Sequence, residues 1–581
     1  MNDLRSCAVA VGILLISASI ASAQVGPFEW QELGNNELPN QNPTAAGFGH
    51  SADALGDIDG DGVPDFAVGA PNGGPPFIDS QGVQSTRNSV GQVRLIQLDA
   101  CGDFKAWTTL DGTNLKANGL ESSLAPWFGA SVAHVGDVTV QGQDFKLVAV
   151  GAPKIDKDDS GVPEGGVFVY SIYAGGNAMT GQMVNAPLSF GDTPNLKIVP
   201  GYPVAQLNNI KNYGTSVAGL GDLDGNGGWG LAVGDPEYDG IGRVWVHRLN
   251  VDAAGKVRVI GTTVIGDGLS VFGPGELQAG DEFGVSVAGV GDLDGDGVPD
   301  LAVGARKDDA LGVDWGDTWI LFLNPDTSVR EKVRMSSLLT SPVISGALGQ
   351  ATGGAGDIDG NGVPDLLSGN RVTDEMSIFR LAYGGAPASL SVVGMDVIQP
   401  GVDCSGNCPV PGDKFGGAVV SLGDFDGNGA IDLVVGADDT SYPNKDQAGA
   451  VWMLWDRGAN PWTDLGNGLA GTSGIPLLSF CGYLQPGYPL CAKLSNAKPS
   501  TSTFFVLSLV KLSAPFKGGV LVPAPDFILP IPSDASGKFE FCVIWPAGFP
   551  PLTQFYSQVW IPDMAGPFGF AASNGVQGTT P

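Results

Sequence analysis

Histidine is scarce, with three in 581 residues. A nucleophile–histidine–carboxylate triad needs an imidazole oriented by an acid, and nothing beside His50, His134 or His247 marks a nucleophile. No catalytic constellation is recognisable, so the chain is expected not to be an enzyme. Basic residues are few: 29 Lys and Arg stand against 61 Asp and Glu, a net charge of −32. Without a basic patch, nucleic acid is excluded as a partner. Helical periodicity is missing beyond the first residues, and so are long apolar runs. The one candidate, Ala8–Ile20, follows Arg5 and precedes Ala21-Ser-Ala23, a small-residue cleavage site before Gln24. This is the pattern of a secretion signal over residues 1–23. It is too short for a comfortable span, and Cys7 precedes the apolar core, which rules out a lipid-bearing cysteine. The expected location is extracellular or the cell envelope, with no membrane span.

Acid is abundant and patterned. Asp57-Ile-Asp-Gly-Asp-Gly-Val-Pro-Asp65 recurs as Asp292–Asp300, Asp357–Asp365 and Asp424–Asp432. Each copy has oxygen side chains at loop positions 1, 3, 5 and 9 and glycine at 6. Calcium takes about 6–8 oxygens from a flexible loop, and glycine permits the sharp turn. The expected ligands are Asp57, Asp59, Asp61 and Asp65; Asp292, Asp294, Asp296 and Asp300; Asp357, Asp359, Asn361 and Asp365; and Asp424, Asp426, Asn428 and Asp432. The carbonyls of Val63, Val298, Val363 and Ala430 complete the sets. Repetition argues against catalytic carboxylate pairs. About four calcium sites are expected. A weak fifth falls at Asp222, Asp224 and Asn226, where Gly230 replaces the closing acid. The loop after Asp137 lacks acids at 3 and 5 and is expected to be empty.

The flanks repeat as well. Phe283-Gly-Val-Ser-Val-Ala-Gly-Val-Gly-Asp292 precedes one loop, and Asp300-Leu-Ala-Val-Gly-Ala305 follows it. Loop starts at 57, 137, 222, 292, 357 and 424 give a period of about 65–85 residues, which calls for a repeat architecture. Phe48-Gly49 with Gly69-Ala70-Pro71 resembles the FG-GAP repeat of integrin α subunits, and the resemblance covers roughly residues 25–460. It implies a β-propeller with calcium between the first two strands of a blade. Six motifs favour six blades; a seventh, diverged blade is the alternative, because integrin propellers have seven. Phe28-Glu-Trp-Gln-Glu-Leu-Gly34 resembles the outer strand Phe104–Leu110, so the N-terminal strand is expected to complete the last blade.

The fold class is therefore all-β: a propeller over 24–462, then a β-sandwich-like module over 463–581 built from strands such as Phe504–Val510 and Phe555–Trp560. Gly569–Gly575 resembles a C-terminal β module of secreted bacterial repeat proteins. Six cysteines remain after the leader. Cys404 and Cys408 share a loop, as a local disulfide or, alternatively, half a zinc site. Cys481 and Cys491 flank a turn, and Cys101 and Cys542 have no evident partner.

The leading reading is a secreted calcium-binding adhesion or binding protein for an extracellular protein or polysaccharide. A calcium-dependent polysaccharide lyase and a structural envelope or matrix protein are the alternatives. Binding is expected on the face opposite the calcium loops, where the insertions Asn72–Ser89, Ile155–Glu164, Gly181–Asn212 and Asp396–Asp413 lie.

Overall fold

Short runs of β-branched and apolar residues between glycines become strands. Asp65–Ala70, Asp300–Ala305 and Asp432–Ala437 are buried at every position, as strands covered on both faces must be. The computed structural model describes residues 28–34, 47–74, 76–78, 84–111, 127–155, 163–173, 196–198, 211–225, 227–253, 255–339, 348–384, 389–400, 408–425, 430–441, 447–456, 462–482, 484, 486 and 489–580. The expected signal segment lies outside them, as do Asp426, Asn428, Asn226 and Cys404. Among the described residues, no helix is long and apolar enough to cross a membrane.

Six four-stranded antiparallel sheets form the blades. Blade 1 is Ser51–Gly56, Asp65–Ala70, Gln92–Leu98 and Phe104–Asp111. Blade 4 is Phe283–Gly291, Asp300–Ala305, Asp317–Leu323 and Val329–Arg334. The first strands sit side by side in chain order, and the ring closes where Ser51–Gly56 meets Phe415–Gly423 of blade 6. Closure is completed by Phe28–Gly34, which pairs antiparallel with Ala450–Asp456, Phe28 opposite Asp456 and Gly34 opposite Ala450. The outer strand of blade 6 thus comes from the other end of the sequence, and the blades number six.

Blade joints explain the repeat's signature. Phe48, Phe128, Tyr213 and Phe283 each make a parallel bridge to a glycine of the preceding blade: Gly449, Gly91, Gly165 and Gly242. A Cβ on Gly91 would lie 2.1 Å from the Phe128 carbonyl oxygen, and one on Gly449 would lie 2.0 Å from that of Phe48. Only glycine admits so close an approach. Ser51, Ser131, Ser216 and Ser286 then donate their hydroxyls to the carbonyls of Gly129, Gly214, Gly284 and Gly349 in the next blade.

The C-terminal residues form two facing sheets and a two-stranded hairpin, Lys511–Phe516 with Gly519–Pro523. Trp462–Gly466, Gly575–Thr579, Gln554–Pro562, Ser502–Ser508 and Phe527–Pro532 make one, with Phe570–Ala572 attached; Leu477–Gly482, Pro489–Ser495 and Phe539–Ile544 make the other. Leu478, Leu494, Phe505, Phe539, Val559 and Ile561 fill the space between them. Two disulfides sit here, Cys101–Cys481 and Cys491–Cys542. Cys481 and Cys491 are cross-strand neighbours, yet each bonds elsewhere, one to blade 1 and one to the adjacent strand. Cys408 is also disulfide-bonded.

Candidate functional site

The acidic loops connect first and second strands, and one wiring pattern recurs. The position-1 carboxylate accepts the N–H of the glycine at 6: Gly62 to Asp57, Gly297 to Asp292, Gly362 to Asp357. Position 5 accepts the N–H of position 7: Val63 to Asp61, Val298 to Asp296, Val363 to Asn361. The glycines at 6 have φ of 86°, 88° and 89°, which side chains resist.

The position-9 acid acts as a brace. Asp65 accepts N–H bonds from Ile58 and from Leu98 of the third strand. Asp300 does so from Leu293 and Leu323, and Asp365 from Ile358 and Leu381. Asp432 accepts from Phe425. Burial pushes these carboxyls up, Asp65 to about 8, Asp300 to about 7 and Asp365 to about 6, against the backbone bonds that oppose it. Buried clustered acids favour a nearby cation.

Ligand atoms converge within 4.8 Å for Asp57, Asp59 and Asp61, for Asp292, Asp294 and Asp300, and for Asp357, Asp359 and Asp365. Three acids of each of three expected sets are thus gathered, without Asp65, Asp296 and Asn361, each an all-oxygen donor group on a glycine-wound loop. That is the chemistry a hard divalent ion requires. In the fourth set, Asp424, Ala430 and Asp432 are described, while Asp426 and Asn428 lie outside.

The two degenerate copies differ physically. In blade 2 the strands Ser131–Val140 and Gln143–Gly151 run on to a two-residue turn at Gln141 and Gly142, both at positive φ. This tight hairpin leaves no loop to wind. Asp137 is paired instead with His134 Nε2 at 2.7 Å and Lys146 Nζ at 2.8 Å. In blade 3 Asp222 keeps its bond from Gly227. A Cβ on Gly230 would lie 2.5 Å from Leu223, however, so leucine fills the place of the closing acid.

The opposite face opens into a cavity of about 580 Å³ on the ring axis. Its lining includes the residue just before each Phe-Gly or Tyr-Gly: Gly47, Trp127, Asn212, Glu282 and Lys414. All five are left-handed, with φ of 62°, 54°, 63°, 56° and 59°. Only the first is glycine. Lys154 bonds Asn212 at 2.7 Å and lies over the Trp127 ring. Asp438 holds His50 at 2.7 Å and Arg371 at 2.8 Å; burial alone would raise its pKa, yet these partners hold it low. Glu282 pairs with Arg306 and Lys307. Four basic and four acidic residues line the cavity: Lys154, Arg306, Arg371 and Lys414 against Glu237, Glu282, Asp438 and Asp439. In so acidic a chain the mouth is a locally balanced, polar surface. The sequence pointed to this face for binding but not to these residues. Their common signal is the position before the repeat's aromatic-glycine pair.

Comparison with known proteins agrees with this architecture. The FG-GAP repeat family matches residues 48–96. Human integrin alpha-IIb is 30% identical over 212 residues, 35% of this chain and 18% of that protein. Integrin alpha-3 of Cricetulus griseus is 29% identical over 221 residues, 38% of this chain and 17% of that protein. Integrin alpha-5 of Xenopus laevis is 30% identical over 261 residues, covering 44% and 20%. The chain spans about a fifth of the length of these relatives. A crystal structure of an exotype rhamnogalacturonan lyase superposes with a TM-score of 0.30 at 12% identity, covering 73% of this chain and 75% of that one, too loose a likeness to argue from. The signature residues at the blade joints, the wound acidic loops and these relatives together make this chain a protein with an FG-GAP, integrin-α-like β-propeller domain.

Proposed function

We propose that the chain is a secreted, calcium-braced binding or adhesion protein that engages an extracellular protein or polysaccharide through the mouth opposite the calcium loops. The observation that carries the reading is the ring of left-handed residues around the mouth. A non-glycine residue in that conformation costs roughly 1–2 kcal/mol. Trp127, Asn212, Glu282 and Lys414 hold it where Gly47 adopts it freely, and strain of this kind clusters at ligand sites. Trp127 is exposed with Lys154 over its ring, a cation-on-aromatic pairing suited to a polar ligand such as a sugar or a polar peptide.

Calcium at the loops whose acids converge would hold the opposite ends of the first two strands of a blade. Its expected role is structural.

The test replaces Trp127 and Lys414 with glycine. Glycine relieves the backbone, so the melting temperature should hold or rise. Retention on an array of extracellular polysaccharides and envelope proteins, in calcium, should fall several-fold. Undiminished retention by the folded variant would move the binding surface elsewhere. Appearance of unsaturated sugar products on the same panel would favour a lyase instead.

A further inference from the structure

The fourth strand of several blades carries a bulge at one shared register, and its residue is not the same chemistry in each. In blade 1, Gln97 pairs with Ala106 and Leu98 with Phe104, so Lys105 is skipped. In blade 4, Phe322 pairs with Glu331 and Leu323 with Val329, which skips Arg330. Blade 3 skips Ile260 between Gly261 and Val259, and blade 5 skips Val393 between Gly394 and Val392. A bulge re-aims the side chain it carries. In blades 1, 4 and 5 the third-strand leucine at the bulge, Leu98, Leu323 or Leu381, is also the one that donates its N–H to the position-9 acid. The bulge therefore stands beside the metal loop.

In blades 1 and 4 the bulge residue reaches the loop. Lys105 Nζ lies 2.7 Å from Asp59 and 2.6 Å from Asp61. Arg330 bonds Asp294 and Asp296 with separate nitrogens. These are the position-3 and position-5 carboxylates. In blade 5 the bulge residue is Val393, 58% exposed, and among the described residues no lysine or arginine pairs with Asp357 or Asp359.

We propose that Lys105 and Arg330 are built-in counter-cations that compete with calcium for the loops of blades 1 and 4. The sites then fill in order: blade 5 at low calcium, blades 1 and 4 only at higher calcium. The inference rests on the calcium reading of the loops. Its logic is that one set of carboxylate oxygens cannot satisfy both an ammonium and a divalent ion. The ion enters only when the side chain swings out, and charge-assisted bonds oppose that movement. Blade 2 shows how far the substitution extends, since Lys146 and His134 pair with Asp137 where no metal loop is formed.

The test is calorimetric titration of the calcium-stripped full chain with calcium chloride, together with melting curves in chelator and in saturating calcium. Lys105→Met with Arg330→Gln should move two ions' worth of uptake to roughly tenfold lower calcium, the scale of one partly buried charge-assisted pair. The melting temperature in chelator should fall, while that in saturating calcium holds. Val393→Lys should do the reverse: one ion binds more weakly and the chelated protein melts higher. This second variant adds a side chain at an exposed site and carries the test by itself should the first pair fail to fold. Half-saturation unchanged or raised on removing Lys105 and Arg330, or unchanged in the Val393→Lys variant, overturns the proposal. Absence of any calcium uptake in the parent and all variants would instead overturn the calcium reading itself, so the two failures are told apart.

Discussion

At the scale of single residues, the blade joint is the least forgiving position. Gly91 has φ of 89°, and a Cβ there would lie 2.1 Å from the Phe128 oxygen and 2.6 Å from its nitrogen. Gly142 also has positive φ, 80°, but a Cβ there meets nothing within 4 Å. Gly142→Ala should thus cost about 1 kcal/mol, for the backbone alone. Gly91→Ala adds a clash with backbone and should cost roughly 3 kcal/mol or more. Denaturant midpoints of the two variants measure the difference, and equal losses would discredit the joint as described. A second residue sets an acid limit. Burial pushes His247 down to about 4 from its ordinary 6.5. The unfolded chain therefore binds the extra proton between those values. The stability this neutral histidine supports is complete above pH 6.5 and is lost as pH falls toward 4, about 3 kcal/mol in total. His247→Gln should flatten the melting curve's pH dependence over that window. A slope left unchanged would place the acid sensitivity in other groups. Much of the residue level was legible in the sequence, because aspartate spacing writes a wound loop directly. Lys105 and Arg330 were not, since a bulge depends on cross-strand register, which no local pattern records. Nor were Trp127 and Lys414, because nothing in tryptophan or lysine announces positive φ.

At the scale of strands and blades, closure is the decisive element. Phe28–Gly34 covers the outer edge of Ala450–Asp456, and an uncovered edge invites pairing with other chains. Trp455 donates its indole N–H to Gln31 at 3.0 Å, and Gln31 in turn reaches Gly102 of blade 1. Removing residues 28–34 should lower the melting temperature and produce aggregates on size-exclusion chromatography. A monomeric, equally stable product would show that the ring does not depend on this strand. The likeness of Phe28–Gly34 to Phe104–Leu110 made this closure readable, as did the buried second strands. The third strand of blade 5, Glu375–Gly384, was harder to see because Arg380 and Ser377 interrupt its apolar run. In the C-terminal module strands such as Phe504–Val510 and Phe555–Trp560 were visible, but others, Lys511–Phe516 and Phe527–Pro532 among them, were not. Lys511–Phe516 mixes polar and apolar residues without a strand's alternation, and prolines break the apolar run of Phe527–Pro532, so neither stands apart from a turn.

At the scale of the whole molecule, the C-terminal sheets stand on the acidic-loop side. Cys481 bonds Cys101 in the connection between the third and fourth strands of blade 1. Lys493 pairs with Asp99 at 3.1 Å and Asp103 at 2.7 Å. Pro489 approaches to 3.5 Å of where a Gly62 Cβ would stand, on the acidic loop itself. The module therefore covers part of the acidic-loop side, away from the mouth. It also ties its own position to the geometry of the Asp57–Asp65 loop. Two kinds of restraint act together: a covalent link closing 380 residues, worth about 6 kcal/mol in the chain-entropy account, and noncovalent contacts that depend on how the loop is wound. Either should hold the module when the other is removed. In calcium, Cys101→Ser with Cys481→Ser should leave amide exchange in Pro489–Ser495 nearly unchanged. In chelator, the parent should also remain protected, held by the disulfide. The serine variant also carrying Lys105→Met should, in chelator, lose protection by much more than the sum of the separate effects, because the acids of a loop emptied of both cations repel and Gly62 no longer meets Pro489. Additive effects would mean that the loop and the module are energetically independent and that calcium acts within the blade alone.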